Sequence, residues 1–341
     1  MEPVFIHSSW RTSSTWVWQQ FRLLAGTQCY YEPFHEDLSA MSRQTAMEMG
    51  TESWISGHAQ TAPYFMEYVP LLRKAGGVRL HEAPFPYDWF IPEGGLTGSL
   101  RREEIRYVSL LIRHARKKDR VPVLGFVRSL GRITPLKEVF GGVHLFLLRN
   151  LWGQWMSFVD QRRKGNNWFY NKLRLIANQP GDRFLSDIHN FYFRRCVELA
   201  VDHKVLPQLS GLTGQQFTKV VFDLLPEGQM FELFMGVHLY LYLHAFFVAD
   251  IAVDSTEMTR NADYRVQCEE QIRRMTGLPI DFSGGKQPTQ RAEMINGAID
   301  WQRIRQHATL AVASLQDIHD RTILERLADK LITAAIAEAG A

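Results

Sequence analysis

The segment His7-Ser8-Ser9-Trp10-Arg11-Thr12-Ser13-Ser14-Thr15-Trp16 sets a row of hydroxyls around one guanidinium. It follows the apolar run Val4-Phe5-Ile6 and opens Trp16-Val17-Trp18-Gln19-Gln20-Phe21, whose pattern is helical. A strand that turns through such a loop into a helix N-terminus is built to hold an anion. Backbone N–H groups, the positive end of the helix dipole and the guanidinium converge there. A phosphate or sulfate group is the expected ligand. The same residues would also serve as an ordinary Ser/Thr-rich helix cap. The G-x-x-x-x-G-K-[ST] loop of nucleoside-triphosphate sites is absent, because Arg11 replaces its lysine and hydroxyls replace its glycines.

A second segment, Leu147-Leu148-Arg149-Asn150-Leu151-Trp152-Gly153-Gln154-Trp155-Met156-Ser157, ends a buried strand and enters a helix. Arg149 falls at the carboxyl end of that strand, where ligands bind in open α/β sheets. Ser157 follows about two helical turns later, so its hydroxyl can return to the strand-end side. A bidentate guanidinium and a hydroxyl suit one phosphate. The plainer alternative makes Trp152, Trp155 and Met156 core residues and Arg149 a strand-end charge.

Together the two segments resemble the sulfotransferases that use 3'-phosphoadenosine 5'-phosphosulfate (PAPS), closest in motif style to the carbohydrate sulfotransferases. The 5'-phosphosulfate loop of that family runs roughly (K/R)-S-G-T-(T/S)-(W/L), and Arg11-Thr12-Ser13-Ser14-Thr15-Trp16 is similar to it. The family's 3'-phosphate segment runs roughly hydrophobic-R-(N/D)-P-x-x-x-x-x-S. Arg149, Asn150 and Ser157 match it, with Leu151 in place of the proline. Ser13 stands where the family has glycine, and it adds a side chain where backbone should approach phosphate closely. Tyr31-Glu32-Pro33-Phe34-His35 resembles the acidic-proline segment of glycan-type members, and Phe126-Val127-Arg128 a V-R segment before the 3'-phosphate strand. Ser283-Gly284-Gly285-Lys286 is faintly similar to a late Gly/Lys loop that closes over the nucleotide. The likeness covers residues 1–36 and 120–165 and is weak elsewhere.

This resemblance implies a sulfuryl transfer from PAPS to a hydroxyl of a saccharide or glycolipid, leaving 3'-phosphoadenosine 5'-phosphate (PAP). Cofactor binding would fall to Arg11, Thr12, Ser13, Ser14, Thr15, Trp16, Arg149 and Ser157, and no metal is required. Arg11 would balance charge on the leaving phosphate; arginine keeps its proton at neutral pH, so its part is electrostatic. The base would be Glu32, then His35, then Glu36, the imidazole having the better intrinsic pKa. Glu32 could equally be an ion-pair partner of Arg11 or Arg128. Arg128 and Arg132 are read as contacts to substrate or to the 3'-phosphate, or as solvated strand-end charges, the latter preferred for Arg132. The other readings are a kinase with a divergent phosphate loop and a non-catalytic nucleotide-binding or scaffold protein.

The elements that must position these residues alternate. Strands are expected over residues 3–9, 28–31, 121–127, 143–148 and 249–253, and helices over 14–25, 64–75, 100–118, 134–140, 152–163 and 257–275. Residues 165–248 and 291–339 read as mostly helical. Such alternation implies an α/β fold with a mainly parallel sheet flanked by helices. The resemblance adds a P-loop-like sulfotransferase fold with extra helices in the second half. One domain, 1–341, is expected, with its core in 1–36 and 120–290. Residues 37–119 form a substrate-side excursion whose aromatics (Trp54, Tyr64, Phe65, Tyr87, Trp89, Phe90) look exposed, and 291–341 form C-terminal helices.

The chain has 341 residues, 45% hydrophobic and 22% charged, with net charge +3. That composition is globular. It is too weakly basic to argue for nucleic acid as a partner, but it suits an anionic cofactor. Cys29, Cys196 and Cys268 are far apart, which supports neither zinc nor a disulfide framework and points to a reducing, cytoplasmic setting. No secretory signal is expected from Met-Glu-Pro-Val-Phe. The apolar stretch Met235–Val253 carries His238, His244 and Asp250 and is interrupted by Gly236, so it reads as a buried helix and strand rather than a membrane span. The Ala-rich amphipathic tail suits packing on its own core or a homodimer contact.

Overall fold

Five short, buried segments become the strands of one sheet: β1 (Val4–Ser8), β2 (Thr27–Tyr31), β3 (Val121–Phe126), β4 (Val143–Leu148) and β5 (Ile251–Asp254). The order is β2-β3-β1-β4-β5, and every neighbouring pair is parallel. β1 and β4 are buried along their whole length, as a sheet covered on both faces requires. From β1 the chain runs outward to β2, and from β4 it runs outward to β5 on the opposite side. Chain direction therefore reverses between these two adjacent strands, and a crevice belongs at their carboxyl ends.

This computed structural model describes residues 2–50, 62–205, 212, 214–285 and 297–340. The chain divides into two compact units, Met1–Arg149 with Ala245–Thr289 and Asn150–His244 with Gln290–Ala341. The first is the sheet unit and the second is helical.

In the sheet unit, α1 (Ser14–Arg22) buries Val17, Trp18 and Phe21. Trp18 lies over Gly125 of β3, where an added Cβ would stand 2.8 Å from the indole. The helix expected to residue 25 ends at Arg22, and the Thr27 hydroxyl shares its proton between the carbonyls of Phe21 (2.7 Å) and Leu24 (2.9 Å) beyond that end. Residues 37–119 hold α2 (Arg43–Glu48), a 3-10 turn at Met66–Leu71 and α3 (Arg102–Arg116). Pro70 lies inside the turn and lacks the N–H that the expected helix there would need. α3 buries Tyr107, Val108, Leu111, Ile112 and Ala115, an amphipathic stripe. α4 (Ile133–Phe140) leads into β4.

The helical unit contains α5 (Leu151–Arg163), α6 (Trp168–Ala177), α7 (Arg183–Asp202), α8 (Gly214–Phe222) and most of α9 (Glu227–Val248). Trp155, Phe158, Tyr170, Phe231 and Phe234 pack ring on ring at its centre. Gly236 of α9 faces α7, where an added Cβ would stand 2.8 Å from the tip of the Ile188 side chain. α9 is long and apolar enough to cross a membrane, and 83% of its most apolar window is buried inside the protein.

After β5 the sheet unit continues through α10 (Ser255–Arg260) and α11 (Ala262–Thr276). Sequence periodicity merges these two into one helix. Asn261 separates them, its Oδ1 accepting from Asp263 N (3.0 Å) and Tyr264 N (3.1 Å) to start α11. The helical unit closes with α12 (Trp301–Leu315) and α13 (Arg321–Ala339).

Candidate functional site

The carboxyl edge of the sheet carries, in spatial order, Glu32 after β2, Arg128 after β3, the Ser9–Ser13 loop after β1 and Arg149 after β4. Arg11 and Ser13 both have φ of 64°, and Thr12 between them does not have a positive φ. Alternating φ sign turns successive N–H groups toward one concavity, the geometry of an anion nest. Ser13 holds by strain the left-handed conformation that glycine adopts freely. It is the N-cap of α1, yet its side chain makes no capping bond to the first helical N–H groups. The Thr12 hydroxyl donates to Ser9 O (2.8 Å), so it offers the loop a backbone N–H rather than its hydroxyl proton. Thr15 Oγ1 lies 2.9 Å from Tyr31 OH, tying the first turn of α1 to the end of β2. Ser14 and Trp16 are partly exposed.

Arg149 bridges the crevice: its Nη1 donates to Arg11 O at 3.1 Å. The residues singled out on β1 and β4 are thus joined within the sheet unit. Asn150 begins the helical unit as N-cap of α5, Oδ1 accepting from Trp152 N (2.9 Å) and Gly153 N (3.2 Å). Leu151 is the first residue of α5. A proline is well tolerated there but contributes no side-chain donor, so its absence removes no ligand group. Ser157 lies on α5 and belongs to the helical unit.

Glu32 has a positive φ of 41°, in place of the extended backbone expected before Pro33. Its N–H donates to Gly125 O (2.7 Å) and its carbonyl accepts from His35 N (2.8 Å), which holds the turn. Its Oε2 is paired with Arg128 Nη1. The second terminal nitrogen of Arg128 lies 2.6 Å from Glu36 Oε2, and Arg128 Nε donates to Tyr87 OH at 3.2 Å. One buried guanidinium thus serves two carboxylates, with the Trp10 ring 5.7 Å from its centre. Burial pushes the Glu32 carboxyl above its ordinary pKa, Arg128 opposes this, and the Glu36 charge adds to it. His35 Nδ1 accepts from Asp37 N at 3.2 Å. A neutral His35 therefore carries its proton on Nε2, which faces Glu32 Oε2 at 4.0 Å. The unprotonated nitrogen of His35 is thus already accepting a hydrogen bond, as the carboxylates of Glu32 and Glu36 are already paired with Arg128.

Beneath this edge runs a buried chain that no local sequence pattern marks. His144 Nε2 donates to Gly141 O (3.0 Å), His7 Nε2 to His144 Nδ1 (2.9 Å), and Ser129 Oγ to His7 Nδ1 (2.7 Å). Each tautomer fixes the next, and the chain ends beside Arg128. Burial drives the His144 pKa down to about 4 and lowers that of His7 further from its ordinary value, with the neighbouring His144 adding to the effect. Both rings are neutral at pH 7. Between the ordinary histidine pKa and about 4 the unfolded chain binds more protons than the folded one, so stability falls as pH drops. His144 alone is expected to cost about 2 kcal/mol between pH 7 and pH 5. Urea midpoints at the two pH values check this, and His144→Gln should flatten that part of the slope.

Arg132 is fully buried rather than solvated, paired with buried Glu104 at 2.7 Å. The aromatics of the excursion are not exposed: Tyr64, Phe65, Tyr87 and Phe90 are buried and Trp89 is partly so. They fill the space over β2 and α3, as the Tyr31–Tyr64, Tyr31–Phe65 and Phe85–Tyr107 contacts illustrate. Trp54 lies outside the described residues. The late glycine segment packs against the first turn of α1: a Cβ on Gly285 would stand 3.1 Å from the Trp16 indole, and Phe282 packs on the same ring. Lys286 is outside the described residues. No protein-family model matches this chain, and comparison with curated proteins and with solved structures gives no match.

Proposed function

We propose that the chain is a sulfotransferase of P-loop-like fold that takes PAPS as donor and a hydroxyl, of the saccharide or glycolipid class, as acceptor. The observation that carries this reading is the Arg149 bridge to the Arg11 carbonyl at the crevice between β1 and β4. It sets a second guanidinium beside a loop of alternating φ and a helix N-terminus that its N-cap side chain leaves uncapped. Those donors fit the phosphate groups of the nucleotide: the loop N–H groups and Arg11 for the 5' end, Arg149 for the 3'-phosphate. When bound, the donor supplies a transferable sulfuryl group and a phosphate leaving group.

The chain's own residues do the rest. Glu32 accepts the proton of the acceptor hydroxyl as that oxygen bonds to sulfur. Burial raises its pKa, which makes its ionised form a stronger base, and Arg128 fixes its orientation. Arg11 balances the charge left on the departing phosphate, without giving up a proton. Glu36 and Tyr87 hold the far side of Arg128, so the guanidinium stays in place when Glu32 is protonated.

Calorimetric titration with PAP, beside ADP and ATP with and without magnesium, tests the reading. Metal-independent PAP binding is expected, weakened about tenfold or more in Arg149→Ala by loss of a charged hydrogen-bonding partner. A magnesium-dependent preference for ATP would favour the kinase reading. PAP binding without transfer to any acceptor would favour a nucleotide-binding scaffold.

A further inference from the structure

α3 buries one side, with Tyr107, Leu111 and Ala115 at its centre. The opposite side is basic. Arg102, Arg106, Arg113, Arg116 and Lys117 recur along it at helical spacing, and all five are exposed. The helix has 15 residues, so the row runs roughly 22 Å. Exposed Lys118 and Arg120 continue it past the helix end. Exposed Arg79 approaches the same end from the excursion: burial lowers the pKa of His114, and the charges of Lys118, Arg79 and Lys117 add to the effect. The cations therefore cover an area rather than a single line. Between Arg102 and Arg120, seven exposed cations stand against two exposed carboxylates, Glu103 and Asp119. That local excess is larger than the net charge of +3 of the whole chain, so the remainder of the chain is net negative.

Helix stability does not account for this row. Cations favour a helix C-terminus, which suits Arg113, Arg116 and Lys117 but not Arg102 and Arg106 in the first two turns. Arg102 with Arg106, and Arg113 with Lys117, are like charges four residues apart, which repel. None of these four forms an ion pair among the described residues. A helix that keeps such a face at a cost to itself has a use for it.

The chemistry of the face selects the partner. No large hydrophobic or aromatic side chain is exposed on it among the described residues. It thus offers no platform for stacking nucleic-acid bases and no anchor for insertion into a bilayer. What remains is positive charge spread over an area, the complement of a layer of anionic headgroups. Four to eight Lys/Arg on an amphipathic helix is the sequence form such a contact takes. We propose that the outer face of α3 docks the protein reversibly on an anionic lipid surface. The contact is electrostatic, so salt releases it. The first turn of α3 adjoins the candidate site, because Glu104 pairs with Arg132 and Arg132 donates to Arg128 O. On the sulfotransferase reading, docking there favours a glycolipid over a free saccharide as acceptor. That consequence rests on the reading, whereas the docking does not.

Co-sedimentation of the full chain with vesicles tests it. The vesicles are two parts phosphatidylcholine to one part phosphatidylglycerol, compared with phosphatidylcholine alone. Binding to the anionic vesicles only is expected at low salt, with release at high salt. Each basic residue near an anionic surface is worth about fivefold, so Arg106→Gln/Arg113→Gln should weaken binding about twenty-five-fold. Arg106→Lys/Arg113→Lys keeps both charges and should stay within about threefold of the wild type. Both positions are exposed, and the glutamine pair relieves like-charge repulsion, so its urea midpoint should be unchanged or raised. Equal binding to the two kinds of vesicle, or binding indifferent to the glutamine pair, overturns the proposal. So does preferential capture by duplex DNA when DNA and anionic vesicles are offered at equal anionic charge. PAP titration of the same samples keeps the two readings apart. Vesicle binding without PAP binding strikes the donor reading alone, and PAP binding without vesicle binding strikes the docking alone.

Discussion

Under the proposed function, Glu32→Gln is expected to lower the rate of sulfuryl transfer by about 10²–10⁴-fold, the usual worth of a positioned general base, while PAP affinity stays within about threefold. Glutamine keeps the volume and can still accept from Arg128 through its carbonyl oxygen, so the pair of Arg128 with Glu36 at 2.6 Å should hold. What is lost is the ability to take up a proton. The pH profile distinguishes this role from a structural one. In the wild type the rate should rise with pH through the raised Glu32 pKa, because the base must be ionised to act, and that limb should vanish in the variant. His35→Gln is the control: with Nδ1 already accepting from Asp37 N, its loss should cost little by comparison. A rate unchanged in Glu32→Gln, or a limb abolished by His35→Gln instead, would remove Glu32 from the chemistry and leave it as the partner of Arg128.

How much of this arrangement is legible in the chain depends on how local its cause is. β1, β3 and β4 are continuous apolar runs bounded by Gly, Pro or polar residues, and local patterning is enough to place them. The phosphate-loop candidates are legible for the same reason: Arg11 to Trp16 stand together, directly after a strand. The departure at Ser13 is legible as a departure, but its consequence, a strained positive φ instead of a displaced loop, requires backbone geometry. Interactions closing over long sequence distances leave no local mark. Arg128 meets Glu32 across 96 residues, and His7 meets Ser129 across 122. Nothing near any of them signals a partner, and the tautomer order of the His7–His144 chain follows only from Gly141 O at its end. The aromatic excursion misleads for a related reason. Tyr64, Phe65 and Phe90 sit among glycines and prolines without periodicity, so no pattern reveals which faces are buried, although they pack as core.

Arg132 is the sharpest case, and its replacement carries the second large effect. Arg132→Met should destabilise the protein by about 3–5 kcal/mol, the cost of leaving a buried carboxylate without its partner. Glu104 is fully buried, and one of its oxygens already caps α3 by accepting from Arg101 N at 3.0 Å. The other oxygen depends on Arg132 Nη1 at 2.7 Å. The remaining nitrogen, Nη2, donates to Phe85 O at 2.9 Å and to Arg128 O at 2.5 Å, while the guanidinium lies 4.1 Å from the centre of the Phe34 ring. One side chain therefore ties α3, the excursion and the segment after β3 to one another. The double variant Arg132→Met/Glu104→Leu should recover much of the loss, because both charges leave together and apolar surface replaces them. Urea unfolding of the two single variants and the double variant measures this coupling directly. The carbonyl that Arg132 holds belongs to Arg128, so the restored double variant has a further expected property. It should fold nearly as stably as wild type yet transfer sulfuryl more slowly, since Arg128 would orient Glu32 from a backbone no longer anchored at that carbonyl. Wild-type turnover in a stable double variant would mean that the Gly125 O contact to Glu32 N at 2.7 Å and the Glu36 pair suffice to hold the edge of the sheet.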